Sequence, residues 1–124
     1  MVDGPSYAED PGFLARILPD LSDWPLVVLV DDAPKTAASP TRFLWTTFTR
    51  FEPAADLVST RTRIHRHHLV HEGPIGIDAR MKPNYPAELT CDEATRATVD
   101  RRWKEYFPNG DVPMGDAEAG HLDS

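Results

Sequence analysis

The stretch Trp45-Thr-Thr-Phe-Thr-Arg50-Phe-Glu-Pro53-Ala-Ala-Asp56-Leu57 decides how this chain is organised. Ser39-Pro40, a few residues earlier, predicts a helix start, because serine can cap free backbone N–H groups and proline suits the first helical position. The helix then presents one apolar stripe, made of Leu44, Trp45, Phe48 and Phe51. Pro53 ends it.

Short strands and irregular segments surround this helix. Leu26–Val30 is an apolar, mostly β-branched run, which predicts a strand covered on both faces, and Asp32–Ser39 is expected to be a loop. Further on we expect strands at Leu57–Ile64 and Ile75–Ala79, a turn at Gly73-Pro74 and an irregular connection at Met81–Leu89. A capping box, Thr90-Cys-Asp-Glu93, opens a last helix that carries Trp103. This order predicts an α/β fold in which helices cover a small sheet.

The segment 1–25 has two interpretations. Phe13, Leu14, Ile17, Leu18 and Leu21 fall at helical spacing between two prolines, which predicts a short amphipathic helix. This helix could cover the domain's own sheet, or it could be an anchor that docks on a partner. The predicted organisation is therefore this segment, a domain at 26–107 and an acidic tail at 108–124, flexible or docked as a strap.

Composition excludes several classes of protein. The net charge is −7, and the acidic excess lies in the two ends, so residues 26–107 form no strong positive field for nucleic acid. Cys91 is the single cysteine, which excludes an internal disulfide and fits a reducing compartment. The longest apolar run is too short to span a membrane, and no signal peptide is recognisable. We expect a cytoplasmic protein.

Acidic residues follow the first and last predicted strands. Asp31 and Asp32 stand where α/β folds place ligands, but a loop cap explains them better than a Mg²⁺ site. Asp78 ends an apolar run, and Arg50 precedes the break at Pro53. We expect Arg50 and Asp78 to form a structural pair through charge-assisted hydrogen bonds.

Four histidines crowd the region between the second and third predicted strands: His65, His67, His68 and His71. Imidazoles at such spacing can bind zinc or copper, but Arg66 interrupts them and no carboxylate or cysteine stands among them. The stripe Arg61, Arg63 and His65 is better explained as a contact for an anionic substrate or an acidic partner surface.

The sequence supports neither a catalytic nucleophile nor a phosphate-binding loop. Cys91 is placed at a predicted helix start, yet Asp92 and Glu93 oppose a thiolate there. The glycines are isolated, so no phosphate-binding loop is present. We assign no catalytic, cofactor-binding or metal-binding residue to this chain.

Several pieces in this order resemble the C-terminal domain of the UbiD-type decarboxylases: Val30-Asp31-Asp32, Leu44-Trp45, Thr49-Arg50-x-x-Pro53, Asp56, Gly76-Ile-Asp78-Ala79 and the Trp103 helix. Two departures stand out, since Arg80 replaces a usual threonine and Ala33-Pro34-Lys35 replaces further acids. The resemblance covers roughly Leu26 to Phe107. It implies that Trp45, Arg50, Pro53, Asp56 and Asp78 have structural or interface roles.

The resemblance also implies a partner. In that family the prenylated flavin, its metal ions and the catalytic residues lie in preceding domains, and the C-terminal domain closes the active site and builds the oligomer. We therefore expect a small subunit of a split, reversible decarboxylase acting on an aromatic or α,β-unsaturated acid. A large UbiD-like subunit would hold prenylated FMN and the metal ions. The alternatives are a binding or regulatory domain without catalysis, and a small metal-binding protein that uses the histidine cluster.

Overall fold

The computed structural model describes residues 1–87, 92–110 and 112, and the chain divides into two compact units, Met1–Tyr85 and Pro86–Ser124. The first unit is built on a mixed sheet of four strands: β1 (Val2–Asp3), β2 (Leu26–Val30), β3 (Leu57–His65) and β4 (His68–Asp78). Their order is β1-β2-β4-β3, with β3 antiparallel to β4 and the other neighbours parallel. The predicted α/β fold is confirmed. β1 and the N-terminal helix belong to the first unit.

Four α-helices accompany the strands within the described residues: α1 (Phe13–Ile17), α2 (Ala33–Thr36), α3 (Pro40–Arg50) and α4 (Glu93–Tyr106). A short 3₁₀ helix, Leu18–Leu21, continues α1. In the described part of the chain no helix is both long and apolar enough to cross a membrane.

The N-terminal helical segment packs on the protein's own sheet. Leu14 and Leu18 are fully buried and form one core cluster with Val27 and Leu29. The helix approaches β4 closely at Gly76, where an added Cβ would lie 2.9 Å from a methyl carbon of Leu14. The apolar residues of this segment therefore serve as a cover for the sheet, the first of the two interpretations.

Strand β2 is covered on both faces, as its unbroken apolar sequence predicts. Val27 and Leu29 face the N-terminal helix, whereas Val28 and Val30 pack with Ala79 in a second core cluster that also contacts Phe43 of α3. Only the first residue of β2, Leu26, is exposed.

The predicted start and end of α3 are confirmed. The Ser39 side chain accepts a hydrogen bond from the Arg42 N–H at 3.1 Å, and Pro40 is the first helical residue. The helix ends at Arg50, where Phe51 turns to an extended conformation ahead of Pro53. The expected loop at Asp32–Ser39 is wrong in part, because it contains α2. Asp32 caps this short helix by accepting from the Lys35 N–H at 2.8 Å.

The turn predicted at Gly73-Pro74 is also wrong. β3 and β4 form one long hairpin whose turn is Arg66-His67, both with positive φ (49° and 66°). Strand β4 continues through Gly73, which has φ +79° and lies near an irregularity in pairing between Ser59 and Arg61. The Gly-Pro pair therefore marks a distortion inside a strand and not its end.

The second unit holds α4. Its N-cap is Asp92, whose carboxylate accepts from the Thr95 N–H at 2.9 Å. The rings of Trp103 and Phe107 lie 4.8 Å apart, and the indole N–H of Trp103 donates to the Val112 carbonyl. Thr90 of the predicted capping box, Cys91 and most of the predicted acidic tail lie outside the described residues.

Candidate interface helix and buried charged network

Charged side chains gather at the carboxyl ends of β2 and β4. The group comprises Asp31, Arg50, Asp56, Asp78, Arg80 and Lys82. This end of a sheet is where α/β folds place ligands, so any unused hydrogen-bonding group here would point to a binding site. Four of the six, including both Arg80 and Lys82, are buried.

Among residues 1–87, 92–110 and 112, Arg80 is the largest fully buried side chain, with 0% exposure. Its Nε lies 3.0 Å from Asp78 Oδ1 and its Nη2 lies 2.6 Å from Asp78 Oδ2, a two-pronged pair. Its Nη1 donates to the carbonyls of Pro5 (2.8 Å) and Asp10 (3.0 Å). The hydrogen bonds to Asp78 raise the pKa of the Arg80 guanidinium, against the effect of burial. Arg80 thus ties the N-terminal segment to the end of β4.

The ammonium group of Lys82 connects the end of α3, the turn that follows it and the end of β4. Its Nζ lies 2.8 Å from Asp56 Oδ2 and donates to the carbonyls of Arg50 (2.6 Å) and Asp78 (2.7 Å). The same Asp56 oxygen also accepts from the Glu52 N–H at 2.8 Å. Lys82 and Asp56 therefore hold the end of α3, and the turn that contains Pro53, against the end of β4.

The predicted pair of Arg50 with Asp78 is wrong. Arg50 Nη1 lies 2.9 Å from Asp31 Oδ2, and that oxygen also accepts from the Met81 N–H at 2.8 Å. Both oxygens of Asp78 are instead taken by Arg80, two residues along the chain. Arg50 and Asp78 still have structural roles, but Arg50 pairs with Asp31 and Asp78 pairs with Arg80.

Sequence reasoning missed Arg80 and Lys82 as site residues. Arg80 stood out only as a departure from the decarboxylase pattern, and Lys82 lay in a segment expected to be irregular. The charge of these residues could have indicated their role. Two cations that directly follow a buried strand ending in Asp78 need acceptors, because burying them without partners would be costly.

The two buried cations of the network are bonded to protein oxygens. The ammonium of Lys82 has three acceptors within hydrogen-bonding distance, and the guanidinium of Arg80 makes four side-chain bonds to protein oxygens. The Tyr7 ring covers both cations, 5.3 Å from Arg80 Cζ and 5.5 Å from Lys82 Nζ. Arg80 and Lys82 therefore serve to hold the N-terminal segment and the end of α3 against the end of β4.

The outward side of α3 is apolar. Trp45 is 61% exposed and Phe48 is 62% exposed, and Leu44 beside them is more than half exposed. Phe43 and Thr47 instead turn towards the sheet. Three of the four residues of the predicted stripe therefore face solvent, whereas Phe51 is half-buried and follows the end of α3. We name Leu44, Trp45 and Phe48 the outer α3 face. Contiguous exposed apolar surface of this kind is typical of a protein interaction site.

The predicted stripe of Arg61, Arg63 and His65 lies on the exposed hairpin. Arg63 pairs with Glu72 on β4, and Arg61 Nη1 is 3.9 Å from the same carboxylate. His65 is the cross-strand partner of His68. Among residues 1–87, 92–110 and 112, no three histidine, cysteine or acidic side chains are grouped as metal ligands, so the metal-binding alternative gains no support.

Much of the chain is similar to part of several longer chlamydial proteins. It is 45% identical over 91 residues, 73% of its length, to a Chlamydia pneumoniae protein named as a subunit of 4-hydroxybenzoate decarboxylase. Over 90 residues, also 73% of the chain, it is 48% identical to a protein of Chlamydia caviae and 46% identical to one of Chlamydia trachomatis serovar D, both named as uncharacterized. The matched stretch spans 16% of each relative. No family model and no solved structure matches the chain.

Proposed function

We propose that this chain is the closing and assembly subunit of a cytoplasmic, UbiD-type decarboxylase made of at least two different chains. The larger chain would hold prenylated FMN and its metal ions. It would catalyse reversible loss of CO₂ from an aromatic or α,β-unsaturated acid. The observation that carries the proposal is the 45% identity to the Chlamydia pneumoniae protein named as a decarboxylase subunit.

The share of the relatives that is matched supports a division of labour. This chain corresponds to 16% of each relative, so most of their length lies outside the match. The two buried cations of the charged network, Arg80 and Lys82, are engaged with protein acceptors, which supports a structural part for them in this division. We therefore assign cofactor and substrate to a chain that corresponds to the unmatched part.

The outer α3 face is the surface we assign to the larger chain. Docking would remove Trp45 and Phe48 from water, and buried aromatic residues commonly dominate the energy of an interface. The inner side of the helix is fixed through the Arg50–Asp31 pair and the Lys82 bond to the Arg50 carbonyl. A helix held in this way presents its outer face without a large ordering cost. Once docked, it would help to exclude water from the active site.

A binding or regulatory domain without catalysis is the second candidate. The same exposed outer α3 face would suit it, and the difference lies in what the complex does. A regulatory domain would change the activity of a chain that already works alone, whereas a closing subunit would be required for turnover.

Co-purification tests the assignment. The tagged chain is co-expressed with a larger chain from the same genome that resembles the cofactor-binding domains of the family. We expect a stoichiometric complex, and the double variant Trp45→Ser/Phe48→Ser should weaken it at least tenfold, about 1.4 kcal/mol or more.

The matched control is Ile64→Ser/Leu69→Ser, which removes two other exposed apolar side chains from the hairpin. This control should bind the larger chain as the unmodified protein does. Equal binding by the outer α3 face variant and the unmodified chain would contradict the assignment.

A further inference from the structure

The tip of the β3–β4 hairpin projects beyond the rest of the sheet. Leu26 of β2 is paired with Ile75 of β4, so residues 68–74 run past the start of β2, and β3 is their sole strand neighbour among the described residues. Residues 60–69 are all exposed. A two-stranded ribbon without a covering layer is marginally stable in water, so a small change in charge is enough to open it. We name residues 61–71 the hairpin tip.

The turn of the hairpin tip depends on the pair of residues that closes it. Arg66 and His67 form the turn and both have positive φ, 49° and 66°. This left-handed region is costly for most residues that carry a Cβ atom, Arg66 among them. The closing pair is His65 with His68, which are direct partners across the two strands. Repulsion within this pair therefore acts beside a turn that has little stability of its own.

The charged groups around the closing pair are almost all positive. Those beside it on the ribbon are Arg61, Arg63, Arg66 and His67. Residues 61–71 contain no aspartate or glutamate. Glu72, the next residue along β4, pairs with Arg63 and lies 3.9 Å from an Arg61 nitrogen, so its charge is already shared between two cations. Because residues 60–69 are all exposed, no other element of the described chain covers the closing pair.

The fourth histidine of the hairpin tip, His71, has a different environment. It is the cross-strand partner of Thr62 and lies on the opposite face of the ribbon from His68. Its Nδ1 is 2.9 Å from Ser59 Oγ. A hydroxyl can donate to a neutral ring or accept from a charged one, so this contact is possible in both protonation states. The response to pH is therefore assigned to His65 and His68.

We propose that the hairpin tip is a pH-sensitive element, closed at neutral pH and opened when His65 and His68 take up protons. An imidazole in water gains a proton as the pH falls through about 6.5. Two charged rings directly opposite each other across a ribbon repel, which two neutral rings do not. Opening separates the rings, so the open tip binds protons more readily and is favoured as the pH falls. This switch goes beyond the proposed function.

NMR spectroscopy of the full chain between about pH 7.5 and about pH 5 tests the switch. Ile64 and Leu69 are the reporters, because they are direct partners beside the closing pair. The NOE between their side chains and their Cα and Cβ shifts measure the open population. We expect this population to rise at least about threefold as the pH falls, while buried Val28 of β2 keeps its shifts. Salt at about 1 M should reduce the response, because it screens repulsion between exposed charges.

Two variants assign the response to the closing pair. The variant His65→Thr/His68→Thr removes the titrating rings and places strand-forming residues there. Its tip should stay closed across the whole pH range. The matched control is His67→Asn, which removes a histidine from the turn, where asparagine tolerates the positive φ. This control should respond to pH as the unmodified chain does.

Reporter signals that do not change with pH in the unmodified chain would overturn the switch. So would an equal response in the His65→Thr/His68→Thr variant, or loss of the response in His67→Asn. Every one of these measurements uses this chain alone, so the switch can fail while the proposed function stands.

Discussion

At the scale of single residues, the chain depends on two buried cations that neighbouring acceptors neutralise. Arg80 and Lys82 engage Asp78 and Asp56, together with backbone carbonyls from three separate segments. A buried ion pair contributes little net stability, but removal of one partner leaves an uncompensated charge in a low-dielectric site. Such pairs consequently fix which segments meet.

Removing Arg80 should therefore be strongly destabilising. We expect Arg80→Leu and Asp78→Ala each to lower the free energy of unfolding by about 3–5 kcal/mol, and the double variant by less than the sum. Arg80→Lys should also destabilise, because an ammonium cannot reproduce the two-pronged contact. Urea unfolding measures all of these values.

The control for this prediction is Arg16→Ala, which removes an exposed pair with Asp10 and should have little effect. A cycle that combines Arg50→Ala with Asp78→Ala should show a smaller coupling energy than the cycle that combines Arg80→Leu with Asp78→Ala. An equal or larger coupling between Arg50 and Asp78 would contradict the partners described here.

The sequence predicted a structural role for Arg50 and Asp78 but not the residues with which they pair. The resemblance and the strand-end position of Asp78 indicated a structural carboxylate, and an arginine partner was expected. Arg50 was the wrong partner for Asp78, because the Arg80 side chain turns back to bond Asp78. Whether it can do so depends on the path of the chain after β4. Burial of Lys82 likewise depends on where α3 ends in space.

At the scale of elements, the sequence predicted helices and strands correctly where the deciding interactions lie within a few residues of each other. The apolar run of β2 and the Ser39-Pro40 start of α3 were both predicted, because capping and burial on both faces leave direct traces in sequence. The hairpin turn was missed, since Arg66-His67 lacks the glycine or asparagine that usually marks positive φ. The outward orientation of Trp45 and Phe48 was also hidden, because an apolar stripe does not reveal whether it meets its own core or a partner.

Gly73 gives a test of the hairpin. Its φ of +79° disfavours other residues, and an added Cβ would clash with Thr60 Oγ1. Gly73→Ala should cost at least about 1–2 kcal/mol and should loosen β3 against β4, measured by amide hydrogen exchange. Adding Thr60→Ala should recover part of the loss, because it removes the clash and leaves the backbone strain.

Gly12→Ala is the matched control, since its nearest contact is the flexible end of Arg16 at 3.4 Å. The Gly12→Ala variant should leave amide hydrogen exchange in β3 and β4 unchanged. Equal protection of the hairpin in the Gly73→Ala and Gly12→Ala variants would show that the backbone at Gly73 is not constrained as described.

At the scale of the whole molecule, the described residues combine an exposed apolar helix face with a charged network whose two cations Arg80 and Lys82 are buried. The outer α3 face is exposed and apolar, while the buried cations Arg80 and Lys82 are bonded to protein oxygens. This combination suits a subunit that assembles and closes an enzyme whose cofactor is held elsewhere. The similarity to part of a much longer protein named as a decarboxylase subunit agrees with it.

The most direct test measures flavin absorbance and CO₂ release for this chain, for the larger chain and for the two together. We predict that this chain alone is colourless and inactive, and that reconstitution with the larger chain, loaded with prenylated FMN, gives turnover that Trp45→Ser/Phe48→Ser abolishes. Stoichiometric flavin bound to this chain alone, or full decarboxylation by the larger chain without it, would contradict the proposed division of labour.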